Sequence, residues 1–380
     1  MFRKEWLTTT AGVVLGIGGM QAVHAACTGD PVQGVVCDPQ GAVAVGAVFA
    51  SDSGTRRNVS LALVEDLLEE EAEETGGGAG DRQPYDVYAA LAYSDKDFDT
   101  QRVPGLNSDS IGGVIGAMLR DNRYLVGAAL DYSNEDADLD ENAGSVDTDE
   151  FGVQLYGIYY PMARRNLFLS AAARYAWTDI DTKRKFLTAP TAVNPGVPNT
   201  AKGDTDGHKF GVLGGVGYGW AIAPQTVATL SGWLSWQRNV TDAYTESGAL
   251  IQQGPVTGNL RFEEDSYSTL DGIVTLDLGH AMPISNGRLV PSASVSFVHE
   301  FESDTRTIDA RLADVVAPTD PTKSVFSFRT NDADRNYFRV GAALTAEFDR
   351  GTTVYASYSG TVGHDWRNEN LFTLGIGQAF

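Results

Sequence analysis

Cysteine is nearly absent. The 380-residue chain holds only Cys27 and Cys37, too few for a disulfide-built scaffold or a structural zinc site. Positive charge is scarce as well: 28 Lys and Arg stand against 50 Asp and Glu, a net charge of −22. Such a chain repels a phosphate backbone, so nucleic acid is not an expected partner. Past the N-terminal segment there is no run of eighteen apolar residues, which excludes a helical membrane protein. The same test says nothing against a membrane barrel, whose alternating strands average out. What the chain has in excess is glycine, 42 residues, about one in nine.

The N-terminus reads as an export signal spanning 1–25. Arg3 and Lys4 supply the positive start, a mildly apolar stretch follows from Leu7 to Met20, and Val23-His24-Ala25 is a small-x-small cleavage pattern. In an exported chain the simple fate of Cys27 and Cys37 is a disulfide closing the short loop between them. Residues 26–57 have no clear period and form a short N-terminal, passenger-like segment. Residues 58–74 then predict one helix, with Asn58 as its N-cap, Leu61, Val64 and Leu68 at helical spacing, and Leu, Ala and Glu dominating. The run Thr75-Gly-Gly-Gly-Ala-Gly80 ends it and serves as a linker. The acidic end of this helix lies at the negative pole of its own dipole, a placement that a basic environment would offset.

From residue 81 the chain reads as a barrel, with strands from Tyr85 onward. Alternation carries that reading. Phe372, Leu374, Ile376 and Phe380 share one face while Thr373, Gly375, Gly377 and Ala379 share the other. Phe338, Val340, Leu344 and Phe348 oppose Arg339, Gly341, Thr345 and Glu347. Leu167, Leu169, Tyr175 and Trp177 oppose Ser170, Arg174 and Thr178, and Phe210, Val212, Val216 and Tyr218 oppose Lys209 and a row of glycines. Connection lengths alternate too. Tight turns fall at 121–123, 163–166, 224–225, 284–287 and 349–351, and longer polar connections at 98–107, 134–147, 180–206, 239–260, 302–325 and 363–369. Twelve strands with short turns on one side and long loops on the other predict a closed, all-β antiparallel transmembrane barrel.

Residues 85–380 resemble the autotransporter β-domain, the twelve-stranded outer-membrane barrel of type V secretion. Three stretches carry the resemblance: the glycine-rich hairpin Ile111–Ser133, the His-Glu-Phe strand around Phe297-Val-His-Glu-Phe301, and the hairpin Arg339–Tyr358, followed by the terminal Phe380. The resemblance implies outer-membrane location and a non-enzymatic barrel that anchors or translocates its N-terminal segment. It implies partners in outer-membrane lipid and, during biogenesis, in the barrel-assembly machinery and periplasmic chaperones, with a monomeric barrel. Thr373, Gly375, Gln378 and Phe380 make up the terminal assembly signal, although Gln378 stands where the family usually carries an apolar residue. Because a helix threads that family's pore, the 58–74 helix is expected inside the lumen, where Glu65, Asp66, Glu69 and Glu70 would meet the inward cations Arg174, Lys209 and Arg339. The Asn-Asn pair at which some members cut themselves is missing from 58–74, so self-cleavage by that route is not expected.

Candidate chemistry is thin, and no cofactor is called for. The residues His208, His280, His299 and His364 are far apart in sequence, and no serine motif accompanies them as an outer-membrane lipid hydrolase would require. The Gly211–Gly219 run lies within a strand and opens no helix, so it is no phosphate cradle. Two acidic runs, 136–141 and 147–150, are expected on an external loop and lack EF-hand spacing. The second functional reading is a plain diffusion pore, which has no need of the 58–74 helix.

Overall fold

The computed structural model describes residues 85–98, 106–121, 123–139, 144–161, 166–187, 198–249, 259–302, 307–313, 325–329, 335–349, 351–365 and 367–380. Twelve long strands run in chain order: β1 (Tyr85–Phe98), β2 (Leu106–Asp121), β3 (Tyr124–Leu139), β4 (Gly144–Tyr159), β5 (Leu167–Leu187), β6 (Pro198–Ala223), β7 (Thr226–Thr241), β8 (Asp265–His280), β9 (Gly287–Glu302), β10 (Asn336–Phe348), β11 (Thr352–Val362) and β12 (Arg367–Ala379). Each pairs antiparallel with its sequence neighbours, and β12 pairs with β1 from Asp86↔Ala379 to Phe98↔Arg367. The sheet is therefore a closed ring of twelve strands with no open edge, the one sheet form that satisfies every backbone group within lipid.

Side-chain parity sorts the wall into two surfaces. Outward-facing residues are large and apolar and remain exposed: Leu91, Ile111, Ile115, Leu155, Leu234 and Leu374 among them. Inward-facing residues alternate with these and are small, polar or aromatic. Aromatic residues mark the limits of the outer apolar band. Tyr85 and Tyr93, Tyr124 and Tyr132, and Phe151 and Tyr159 stand eight residues apart on β1, β3 and β4. That spacing is about 26 Å along a strand, or about 20 Å of height at a strand tilt of about 40°, which fits within the roughly 25 Å lipid-facing band of such barrels. Phe151 stacks on Trp177, and Tyr358 packs on Phe372, along one of these limits.

Inside, aromatic rings lie flat over glycines of the neighbouring strand. Tyr88 faces Gly116, Tyr156 faces Gly127, Phe168 faces Gly217, Trp233 faces Gly215 and Tyr355 faces Gly375, each pair directly opposite in register. A Cβ on Gly215 would come within 1.9 Å of the Trp233 ring, so only glycine fits beneath it. This accounts for Gly215 and Gly217 in the glycine row of β6.

The strands flanking the five expected tight turns end and begin where the sequence places them, and Gly351, just before β11, has a φ of +75° that a side chain would resist. The long connections need correction. Most of 134–147 and 180–206 is strand, since β3 runs to Leu139, β4 starts at Gly144, β5 runs to Leu187 and β6 starts at Pro198. The acidic runs are not loop residues either: Asp136, Asp138 and the stretch 147–150 lie on β3 and β4. These extensions rise above the apolar band, where the alternation reverses: Ala137, Leu139, Val146, Ile180 and Ala201 are buried on the inner face and polar residues face out. A row of outward aspartates crosses them, with Asp95↔Asp109, Asp109↔Asp136, Asp136↔Asp147, Asp147↔Asp181 and Asp181↔Asp204 directly opposite one another.

The connections 239–260 and 302–325 also hold structure. Tyr244–Thr245, Leu260–Phe262, Thr307–Leu312 and Val325–Arg329 form a second, four-stranded sheet at the long-loop end. It joins β6 through the Lys202↔Ser247 bridge. Arg184 Nε donates to the buried Glu246 carboxylate at 3.0 Å, and Tyr244 stacks on Phe262 at 4.7 Å. Burial there pushes the Tyr244 phenol well above its ordinary range.

Candidate functional site

The inner surface of the ring is where this wall departs from a uniform lining. Toward the long-loop end, on β1 to β6, six charged side chains neutralise one another. Lys96 Nζ donates to Glu135 at 2.9 Å, and Ser108 Oγ donates to the same carboxylate at 2.6 Å. Arg174 sits between Asp131 and Glu150: Nε reaches Asp131 at 3.3 Å, while Nη2 pairs with both carboxylates. Lys209 Nζ completes the set on Glu150 at 2.5 Å. Gly152 makes room for this cluster, since a Cβ there would lie 2.6 Å from the Asp131 carboxylate. Three cations and three carboxylates leave this part of the wall without net charge. Removing one member of such a buried set strands a charge, at a cost of about 3–5 kcal/mol.

The opposite arc is different. On β10 the buried Arg339 donates from Nη2 to Tyr337 Oη at 3.0 Å, while its Nε and Nη1 have no hydrogen-bond partner. The Tyr337 ring carries two guanidinium groups, Arg339 at 5.2 Å and Arg367 at 5.5 Å from its centroid, both within cation–π range. Arg367 Nη2 also stands 3.3 Å from Glu369. At the tight-turn end two further pairs brace the rim, Arg120 with Asp86 at 3.0 Å and Arg288 with Glu347.

Between rim and mouth one apolar cluster lines both arcs, with hydroxyls interspersed. From β1 to β7 the inner face presents Tyr88, Met118, Leu125, Tyr156, Ile158, Phe168, Leu213 and Trp233 as one apolar cluster, tied by a 2.8 Å hydrogen bond between the Tyr88 and Tyr156 hydroxyls. From β8 to β12 the cluster continues through Ile273, Val298, Tyr337, Tyr355 and Leu371, set among Thr275, Asp277, Ser292, Ser296, Thr345, Ser357 and Thr373. Thr275 and Ser296 share a 2.8 Å hydrogen bond across β8 and β9.

Of the lumen residues anticipated from parity, Arg174, Lys209 and Arg339 all face inward, but the first two are bonded to carboxylates of the wall itself. Their partners Asp131 and Glu150, and the neighbouring pair Lys96 and Glu135, escaped the sequence reading. Asp131 was detectable in principle, as a charge on the inner parity between Leu130 and Tyr132. Glu150 was hidden in an acidic run taken for a loop. Glu65, Asp66, Glu69, Glu70, Cys27 and Cys37 lie outside the described residues. At the chain's end, Thr373 and Gly375 face inward and Phe380 outward. Gln378 accepts from Thr352 Oγ1 at 2.6 Å, and the Phe380 N–H donates to the Tyr85 carbonyl at 2.9 Å.

The histidines are scattered around the wall. His280 contacts Thr226 Oγ1 at 2.9 Å, His299 contacts Asn336 Oδ1 at 2.8 Å, His208 stacks on Tyr175, and His364 meets the edge of Tyr337. None of these contacts is a serine–histidine hydrogen bond. Among the described residues no group of three His, Cys, Asp or Glu is disposed to hold a metal ion.

Comparison with known proteins agrees with this architecture. The family model "Autotransporter beta-domain" matches residues 87–359. Outer membrane protein A of Rickettsia conorii is 26% identical over 250 residues, which is 64% of this chain but 12% of that protein; the Rickettsia rickettsii protein of the same name matches equally, over 10% of its length. The chain thus spans about a tenth of the curated relatives it matches. Among solved structures, the translocator domain of the autotransporter NalP from Neisseria meningitidis superposes with a TM-score of 0.60 at 15% identity, covering 81% of this chain and 92% of that one. The β-domain of the Bordetella autotransporter BrkA gives 0.52 at 17% identity, covering 78% of this chain and all of that one. A closed twelve-stranded ring with an apolar exterior and a charged, glycine-lined interior is an outer-membrane barrel, and this chain belongs to the autotransporter β-domain family.

Proposed function

We propose that the barrel anchors and translocates its own N-terminal segment, with residues 58–74 entering the lumen as a helix, and that it does so without enzymatic chemistry. The observation that carries this reading is the position of Tyr85. It opens β1 at the tight-turn rim, which in this family faces the periplasm, so the Gly-rich linker 75–80 leads the segment before it to the periplasmic opening of the pore. Residues 1–25 act as an export signal removed on secretion, and a Cys27–Cys37 disulfide closes the loop that follows. The barrel-assembly machinery engages the final strand through Phe380, with periplasmic chaperones holding the chain beforehand.

Two measurements test this. Single-channel conductance in planar bilayers is expected to rise when 58–74 is deleted; equal conductance would favour the plain diffusion pore. A cysteine at residue 30 is expected to react with an impermeant label on intact cells, and labelling only after the outer membrane is permeabilised would place the segment on the periplasmic side. For the assembly role, deleting Phe380 is expected to reduce heat-modifiable barrel more than Leu371→Ala does.

A further inference from the structure

The four short strands at the long-loop end are hydrogen-bonded as a sheet of their own, but their register belongs to the barrel wall. Thr241 of β7 pairs with Asp265 of β8, and three residues further along each strand Tyr244 pairs with Phe262. Leu270 of β8 pairs with Glu302 of β9, and eight residues further along Phe262 pairs with Ala310. Between β9 and β10 the step from His299↔Asn336 to Thr307↔Arg329 is one residue out. The step from Gly207↔Thr241 to Lys202↔Ser247, between β6 and β7, is one residue out as well. Slips of this kind are bulges, which bend a strand. The small sheet is therefore β7 to β10 carried outward past a crease, which crosses β7 at 242–243 and β8 at 263–264. Strands β3 to β6 run through the same zone unbroken, as far as Leu139, Gly144, Leu187 and Pro198.

We propose that this creased part of the wall is a leaf that opens and closes the outer mouth, with Glu246 as its clasp. Its attachment is one-sided. The far strand, Val325–Arg329, pairs only with Thr307–Leu312 among the described residues, while β11 ends at Val362. The near side is fastened to β5 and β6 at a few points. Lys202 and Ser247 exchange backbone bonds of 2.8 and 2.7 Å, and Thr205 Oγ1 donates to the Asp242 carbonyl at 2.9 Å. The Tyr244 ring covers Gly203, where a Cβ would come within 2.4 Å of it. Glu246 makes the strongest tie. Its buried carboxylate accepts Arg184 Nε at 3.0 Å and Nη2 at 2.5 Å from β5, and the Leu260 N–H at 2.8 Å from the leaf itself. One side chain thus holds wall and leaf together, through charge-assisted bonds that are roughly twice as strong as neutral ones.

Local opening concentrates where ladder bonds are few. Tyr244–Thr245 and Leu260–Phe262 contribute two and three residues to the leaf, against sixteen each for β7 and β8 below the crease. With Glu246 replaced by an amide the Arg184 guanidinium faces a neutral group, and the closed position loses its charged tie. Opening uncovers the inward side of β5 and β6 around Thr182, which is buried beside the Tyr244 ring when the leaf is closed. The device belongs to the outer mouth alone and works whatever occupies the lumen below, so it goes beyond the translocation reading.

Labelling from outside tests the leaf in the full-length barrel. In a Cys27→Ser, Cys37→Ser background, Thr182→Cys is expected to react with an impermeant maleimide on intact cells at least about ten-fold more slowly than Asp181→Cys, which faces out. Adding Glu246→Gln, or Arg184→Gln, is expected to speed the Thr182→Cys reaction at least about ten-fold while the barrel stays heat-modifiable. A Thr182→Cys that reacts as fast as Asp181→Cys with the clasp intact would overturn the proposal, and so would a rate that neither substitution changes. Hydrogen exchange needs no substitution. The amides of Leu260–Phe262 and Thr307–Leu312 are expected to exchange as one group, at least about ten-fold faster than those of Val146 and Ile180 on the unbroken strands. Equal protection would mean a rigid collar and would overturn the leaf even where the variants fail to assemble. Both measurements leave residues 58–74 in place, so the translocation reading stands or falls separately.

Discussion

The part of the barrel inside the apolar band and the part that rises above it are the same continuous strands, yet they obey different rules. Within the band, lipid selects one face and the lumen the other, so large apolar residues and small or polar ones alternate strictly. Above it, water replaces lipid on the outer face and the alternation reverses, with Ala137, Val146 and Ile180 buried inside and aspartates outside, while the ladder of backbone bonds continues unbroken through β3 to β6. Those extensions even tolerate a row of aspartates in direct register, an arrangement that disfavours pairing by side chain alone. The solvent, then, writes the side-chain pattern, and the backbone ladder carries the strand past the point where that pattern turns round.

The largest test of this contrast is a cation moved across the boundary. Leu155, midway between Phe151 and Tyr159 on the outer face of β4, is 66% exposed to what would be lipid. Leu155→Arg is expected to cost about 2–4 kcal/mol in urea unfolding of the barrel in vesicles. Asp147→Arg, eight residues away on the same face of the same strand, is expected to cost nothing or to stabilise. A comparable penalty at both sites would mean the band reaches further than the aromatic limits suggest.

A second test stays within the band and moves by one residue. A Cβ at the outward Gly214 meets nothing within 4 Å, whereas one at the inward Gly215 collides with Trp233. Gly215→Val is expected to destabilise by about 1–3 kcal/mol through displacement of that ring, and Gly214→Val by far less. Near-equal losses would show that backbone freedom, not ring packing, selects glycine in β6.

The smallest effect belongs to the aspartate row. Removing one like-charge opposition by Asp95→Asn, at the end of the row opposite Asp109, is expected to raise stability by about 0.2–1 kcal/mol at low ionic strength. The gain should shrink as salt screens the row, with a screening length of about 10 Å at 0.1 M. A gain independent of salt would point to a cause other than repulsion.

The same division decides what could be read from sequence. Inside the band, Phe338, Val340 and Leu344 on one parity and Arg339 on the other placed the strand and its inward cation together. Above it, Asp136 to Glu150 look like solvated loop because the inward apolar residues that mark the strands, Ala137, Leu139 and Val146, are few and set among acids. The neutral cluster was out of reach for a further reason. That Arg174 is inward follows from its own strand, but that it meets Asp131 two strands away depends on the register of β3, β4 and β5, which parity alone leaves undetermined.

The seam between β1 and β12 sets a timetable. Eleven of the twelve strand pairings join neighbours in the chain, while the twelfth joins Asp86 to Ala379. Neighbouring strands can zip up early, each closing a short loop at little entropic cost, but the seam must bring together segments almost three hundred residues apart. Until it does, β1 and β12 each offer a bare edge, the most aggregation-prone surface a sheet can have. The vulnerable interval in this protein's life is therefore the wait for its first and last strands to meet, and mutations along β12 are expected to act on yield through that interval more than on the stability of barrels already closed.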